Sequence, residues 1–146
     1  MTAKKIEPID YLPEFRPHPR FDKVLMIDDS KTDLFINQTI LRSLLFAKEI
    51  QQETDPKRAL EFLKHVEKLS EVPNLLFLDL NMPGMNGFEF LAEFNQLPEF
   101  IRNKCKIVIV TSSANKDQKN KALMNKNVIR YIVKPLDAYH LRDFMM

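Results

Sequence analysis

Short apolar runs recur along this chain, and each is cut off at its C-terminal end by a particular kind of polar residue. "VLMI" (24–27) stops at Asp28-Asp29, and "LLFL" (75–78) stops at Asp79. "IVIV" (107–110) stops at Thr111-Ser112-Ser113, and "VIRYIV" (128–133) stops at Lys134-Pro135. Continuous apolar runs of this length suit strands buried on both faces, as in a parallel sheet covered by helices. The intervening segments have helical period. In 31–46, Leu34, Ile36, Ile40, Leu41, Leu44 and Leu45 fall on one broad face, with Ser30 as cap and Asp33 favourable in the first turn. Residues 55–69 open on Asp55 and Pro56, a cap followed by proline at the first helical position. Residues 88–94 form a short helix with Asn86 as candidate cap, 115–126 a lysine-rich helix and 136–146 a closing helix. "EIQQET" (49–54) is a weak, polar strand. The pattern predicts five βα units, an α/β doubly wound sheet of five parallel strands with five helices. Asn37 interrupts the apolar face of 31–46 without an evident purpose.

In an open α/β sheet, ligands bind outside the carboxyl ends of the strands, where the strand order reverses. Three acids, a hydroxyl and an amine should therefore meet on one rim. Three carboxylates brought together repel, and a hard divalent cation removes that cost. Mg2+ takes oxygen ligands and commonly uses one or two carboxylates, phosphate oxygens and waters. Thr111 and Lys134 are then left as a hydroxyl donor and a point charge for a phosphoryl oxygen. This is the equipment of phosphoryl transfer, where positioning and charge neutralisation dominate. The only two glycines, Gly84 and Gly87, both follow Asp79 within nine residues. They suit a loop that folds tightly over that rim and then starts a helix.

With 146 residues the chain has the length of one domain. The net charge of +2 is too small to imply nucleic acid. A single cysteine, Cys105, excludes an internal disulfide and suits a reducing compartment. The first residues, "MTAKKIEPID", lack the apolar core of a signal peptide. Apolar runs of about five residues are far too short to span a membrane. A cytoplasmic location is expected. Residues 1–20 carry Pro8, Pro13, Pro17 and Pro19 without any period, so an extended, mobile arm is expected there, before a folded domain over 21–146.

The motifs "VLMIDDS", "LLFLDLNMPGMNG", "IVIVTSS" and "YIVKPL" occur in order at the ends of strands one, three, four and five. In this the chain resembles the receiver domains of bacterial two-component response regulators, over residues 22–146. The resemblance implies a flavodoxin-like sheet of order 2-1-3-4-5. It implies that Asp79 is the phosphoacceptor, taking a phosphoryl group from a histidine kinase or phosphotransfer protein. Asp28, Asp29, Asp79 and the backbone carbonyl of Asn81 would hold Mg2+. Thr111 and Lys134 would contact phosphoryl oxygens, and Ser112 would leave room for the group. Thr111 and Tyr131 would form the switch, and Asn81 and Ser113 would set phosphate lifetime. A cis Lys134-Pro135 bond is also implied.

By the same resemblance the protein is a stand-alone signalling phosphoacceptor, not an enzyme, although it promotes its own phosphorylation and dephosphorylation. It would bind a downstream protein through Lys116–Lys126, Tyr131 and the last helix. No output domain, DNA or membrane enters. The rival assignment is to haloacid-dehalogenase-like Mg2+-dependent phosphatases. They too use an Asp nucleophile, then Thr or Ser, then Lys, but they need an acid where this chain has Asn81, and their paired acids come last.

Overall fold

The computed structural model describes residues 18–145. Five strands, β1 (Phe21–Ile27), β2 (Ala47–Glu53), β3 (Leu75–Leu78), β4 (Lys106–Thr111) and β5 (Val128–Val133), make one parallel sheet of order β2-β1-β3-β4-β5. The helices are α1 (Lys31–Ser43), α2 (Pro56–Lys64), α3 (Gly87–Phe94), α4 (Glu99–Lys104), α5 (Lys116–Leu123) and α6 (Ala138–Met145), with a 3-10 turn at Leu69–Glu71.

Alternation along the central strands sorts the core into two layers. Leu25, Ile27, Leu76, Leu78, Ile107 and Ile109 pack beneath α2 to α5, meeting Leu60, Leu63, Phe90, Phe94, Ile101 and Ala122. Val24, Met26, Leu75, Phe77, Val108 and Val110 pack beneath α1 and α6, meeting Leu34, Leu41 and Leu141. The continuous apolar runs arise because both faces of these strands are covered. β2 is more polar because it is an edge strand, where partly exposed polar side chains discourage pairing with another chain.

The expected caps are in place. Ser30 Oγ accepts from Asp33 N, Asp55 from Lys57 N, and Asn86 forms a capping box with Glu89. Two expectations need correction. There are six α-helices among the described residues, not five: α4 has six residues and buries only Ile101, too little for a helical period to stand out. The helix expected over 55–69 stops at Lys64, because His65 closes it and the chain turns through Leu69–Glu71 to reach β3. β1 also starts earlier than its apolar run, since the Phe21 ring packs tilted against Phe46 and edge-on to Phe144 and its amide donates to Phe46 O. The arm expected over 1–20 lies, up to residue 17, outside the described residues. Arg20 is held by its Nε–H to Phe144 O at 2.6 Å. Among the described residues, no helix is long and apolar enough to cross a membrane.

Candidate functional site

The chain runs from β1 outward to β2, then returns past β1 to β3, so strand order reverses between β1 and β3. Ile27 and Leu78 are paired in register, which sets the next residues, Asp28 and Asp79, side by side on the rim. The Asp79 amide donates to Ile27 O at 3.0 Å. On the far side, Thr111 pairs with Val133 and the Lys134 amide donates to Thr111 O at 2.8 Å. The topology thus converts four separate strand ends into one cluster.

Asp28 and Asp79 are only 4% and 6% exposed, Thr111 is fully buried, and Asp29 faces solvent. Carboxylate oxygens of Asp28, Asp29 and Asp79 lie within 4.8 Å of one another. Backbone amides fix two of them: Ser30 N donates to Asp28 Oδ1 at 2.9 Å, and Asn81 N to Asp79 Oδ1 at 3.2 Å. The Lys134 ammonium donates to Asp28 Oδ2 at 2.7 Å, to Asp79 Oδ2 at 3.3 Å and to Asp33 Oδ2 at 2.7 Å. Burial pushes the Asp28 carboxyl above its ordinary range; the Lys134 bond and the Ser30 amide oppose that, and the charge of Asp79 adds to it. Burial alone would lower Lys134. The bonds to Asp28 and Asp33 and the nearby charge of Asp79 outweigh it, so the ammonium is held firmly protonated.

Asn81 Nδ2 donates to Thr111 Oγ1 at 3.2 Å, closing the rim between the third and fourth strand ends. The Tyr131 hydroxyl donates to Ser113 O at 2.8 Å, and its ring packs partly buried against the larger core layer. Ser112 is exposed beside the rim. The Lys134-Pro135 bond is cis. Gly84 has φ +78°, which a side chain resists, and Gly87 presses its backbone onto Asp79 and Leu80. The structure thus brings Asp28, Asp29, Asp79, Asn81, Thr111 and Lys134 together, with the Ser113 amide donating to Thr111 Oγ1 at 3.5 Å and Tyr131 joined to the rim through Ser113 O. Asp33 was missed as a site residue. It lies in the first turn of α1, where its amide bonds to the Ser30 cap, and that local role accounts for it in the sequence.

Beneath the acids is a cavity of about 10 Å3, lined by Asp28, Asp79, Asn37 and the apolar Met26, Ile27, Leu34, Phe77 and Val110. That is room for about one water molecule. Asn37, the unexplained polar residue of α1, is the buried group that faces it.

A model of the response regulator receiver domain matches residues 24–145. The chain belongs to this family. Response regulator Rcp1 of Synechocystis is 35% identical over 96 residues; the match covers 64% of this chain and 64% of Rcp1, less than two thirds of its length. Sporulation initiation phosphotransferase F of Bacillus subtilis is 32% identical, over 84% of this chain and 89% of that protein. A crystal structure of a two-component response regulator from Cytophaga hutchinsonii superposes with TM-score 0.75 at 33% identity, covering 85% of this chain and 93% of that one. The Mn2+-bound form of response regulator Rcp1 superposes with TM-score 0.65 at 31% identity, covering 86% and 88%. As a receiver domain the chain is a component of two-component signalling. The phosphatase alternative needs an acid at position 81; the residue there is an asparagine bonded to Thr111.

The acid cluster also fits the divalent cation that this family binds. Its donors are carboxylate oxygens at close range, suited to a hard cation, and the one positive group among them, Lys134, cannot neutralise four carboxylates.

Proposed function

We propose that Asp79 takes a phosphoryl group from the phosphohistidine of a histidine kinase or phosphotransfer protein, and that the acyl phosphate alters which proteins this domain binds. The observation that carries this is the Asp79 carboxylate itself. It is buried at the end of a central strand, pinned by the Asn81 amide, and faces Asp28, Asp29 and Lys134 across the switch point of the sheet.

Asp28, Asp29, Asp79 and the Asn81 backbone carbonyl would hold Mg2+, with Asp28 engaged directly or through water. Bound there, Mg2+ supplies charge neutralisation for the carboxylates and the transferring group. A carboxylate oxygen of Asp79 attacks phosphorus as the nitrogen–phosphorus bond breaks, and the imidazole leaves. Thr111 Oγ1 is the acceptor in its bonds to Asn81 and Ser113, so its own proton remains to donate to a phosphoryl oxygen. The Lys134 ammonium pairs with a second oxygen. Ser112, small and exposed, leaves space beside the group. Asn81 and Ser113 flank the phosphoryl position and set how readily water reaches it.

The signal leaves through Thr111 and Tyr131. When Thr111 turns toward the phosphoryl group, Tyr131 exchanges its bond to Ser113 O for the space that opens. That shift moves the 113–115 loop and α5, whose only buried residue is Ala122. The surface of Lys116–Lys126, Tyr131 and α6 is then the place for a downstream protein in the cytoplasm. The domain is a phosphoacceptor that promotes its own phosphorylation and dephosphorylation, rather than an enzyme with a separate substrate.

Intact-mass spectrometry with Mg2+ and a small phosphodonor tests the proposal. The wild type should gain one phosphoryl group, and Asp79→Asn and Asp29→Ala should gain none. Normal labelling of Asp79→Asn, or label mapped to another residue, overturns it.

A further inference from the structure

Lys134 is bonded to three carboxylates, and only two of them belong to the metal cluster. The third, Asp33, reaches in from the first turn of α1, 2.7 Å from the ammonium and 37% exposed. Both oxygens of Asp28 and Asp79 are already engaged, Oδ1 with a backbone amide and Oδ2 with Lys134. A divalent cation that ligates Asp28 and Asp79 therefore competes with the ammonium for the same side of the same groups. Two cations cannot share those oxygens without repulsion.

Resting on the proposed Mg2+ site, we infer that Asp33 is a positioning residue for metal binding. It gives the Lys134 ammonium a carboxylate to stay on when the divalent cation takes Asp28 and Asp79. Without Asp33, the ammonium has no other partner among the described residues, and it holds the metal carboxylates more tightly. With Asp33, displacement costs Lys134 only part of its bonding, and the side chain stays beside Asp79, where a phosphoryl oxygen would need it. Asp33 thereby separates the two positive groups of the site. Its exposure suits this: one of its faces is hydrated whichever partners Lys134 keeps.

The test is Mg2+ titration of the full chain by calorimetry, with no phosphodonor present. Asp33→Asn should weaken Mg2+ binding about tenfold, the scale of one charge-assisted bond in a partly buried site. Lys134→Met should strengthen it, because the competing cation is gone. In the Lys134→Met background, Asp33→Asn should change affinity by less than about twofold, so the pair is strongly non-additive. Asp33→Glu should recover most of the wild-type affinity. Asp33→Ser is the second neutral variant, and circular dichroism separates a folding defect from lost positioning. An equal loss on Asp33→Asn in both backgrounds overturns the inference, since Asp33 would then act directly on the metal by its own charge. No loss on Asp33→Asn in the wild-type background overturns it as well. A wild-type chain that binds no Mg2+ sinks the metal site and this inference together, whereas equal losses sink this inference alone.

Discussion

Gly87→Ala is the substitution for which local and tertiary effects predict opposite signs. Gly87 is the first residue of α3, and by helix propensity alone alanine gains up to about 1 kcal/mol there. A Cβ at this position, however, would lie 2.7 Å from Leu80 Cα, 2.8 Å from Asp79 O and 2.8 Å from Leu80 Cδ2. Two of those neighbours are backbone atoms, which cannot rotate away. The same pair of residues is tied by Gly87 N–H to Leu80 O at 2.8 Å, so relief requires opening the loop. Overpacking of this kind costs about 1–3 kcal/mol. With no rotamer escape the upper end applies, and the net loss is about 2 kcal/mol, or roughly 4–8 °C in Tm for a domain of this size. Because Asp79 O is one of the atoms pushed, the phosphoacceptor also moves, and phosphorylation should slow. Gly84→Ala is the control. Nothing lies within 4 Å of its Cβ, so only the φ of +78° is penalised, at about 1 kcal/mol, and labelling of Asp79 should proceed at the wild-type rate. Urea unfolding followed by circular dichroism, with phosphorylation timed by mass spectrometry, measures both. A Gly87→Ala protein as stable as the wild type, or labelled as fast, refutes the close-approach argument.

Two further outcomes concern the core. Burial pushes the Cys105 thiol from 9.0 up to about 12, against the opposing charges of Lys106 and Lys104. The unfolded chain therefore loses this proton near pH 9 while the folded chain keeps it, and stability is unaffected below that and falls as pH rises toward 12. Between pH 8 and pH 10.5 the wild type should lose about 2 kcal/mol relative to Cys105→Ala in urea unfolding; a constant difference between them refutes it. Asn37→Leu should raise stability by about 1 kcal/mol, since it replaces a buried carboxamide beside a mostly apolar cavity with room for about one water by an apolar side chain. Loss of stability in that variant would show that the carboxamide is well satisfied there.

What the sequence disclosed and what it hid follow from how far apart the interacting residues lie. The four strand ends were legible because each motif is local: an apolar run sets the strand, and the next residue must fall on the rim. The caps Ser30, Asp55 and Asn86 were legible for the same reason, since each bonds within three residues. α4 was not, because six residues with one buried side chain carry no period. The start of β1 was not, because Phe21 belongs to the sheet through Phe46 and Phe144 rather than through its neighbours. Asp33 is the instructive case. Its place in the first turn of α1 could be read from the sequence, and that position already explained it as a favourable charge at a helix N-terminus. A residue with one sufficient local role gives no signal of a second. Its bond to Lys134 spans 101 positions and exists only because the β1–β3 reversal brings the end of β5 over the start of α1. The same reversal makes Asp28 and Asp79 neighbours, so the fold that builds the acid cluster also delivers, to the same rim, both the ammonium that guards it and the extra carboxylate that can hold that ammonium aside.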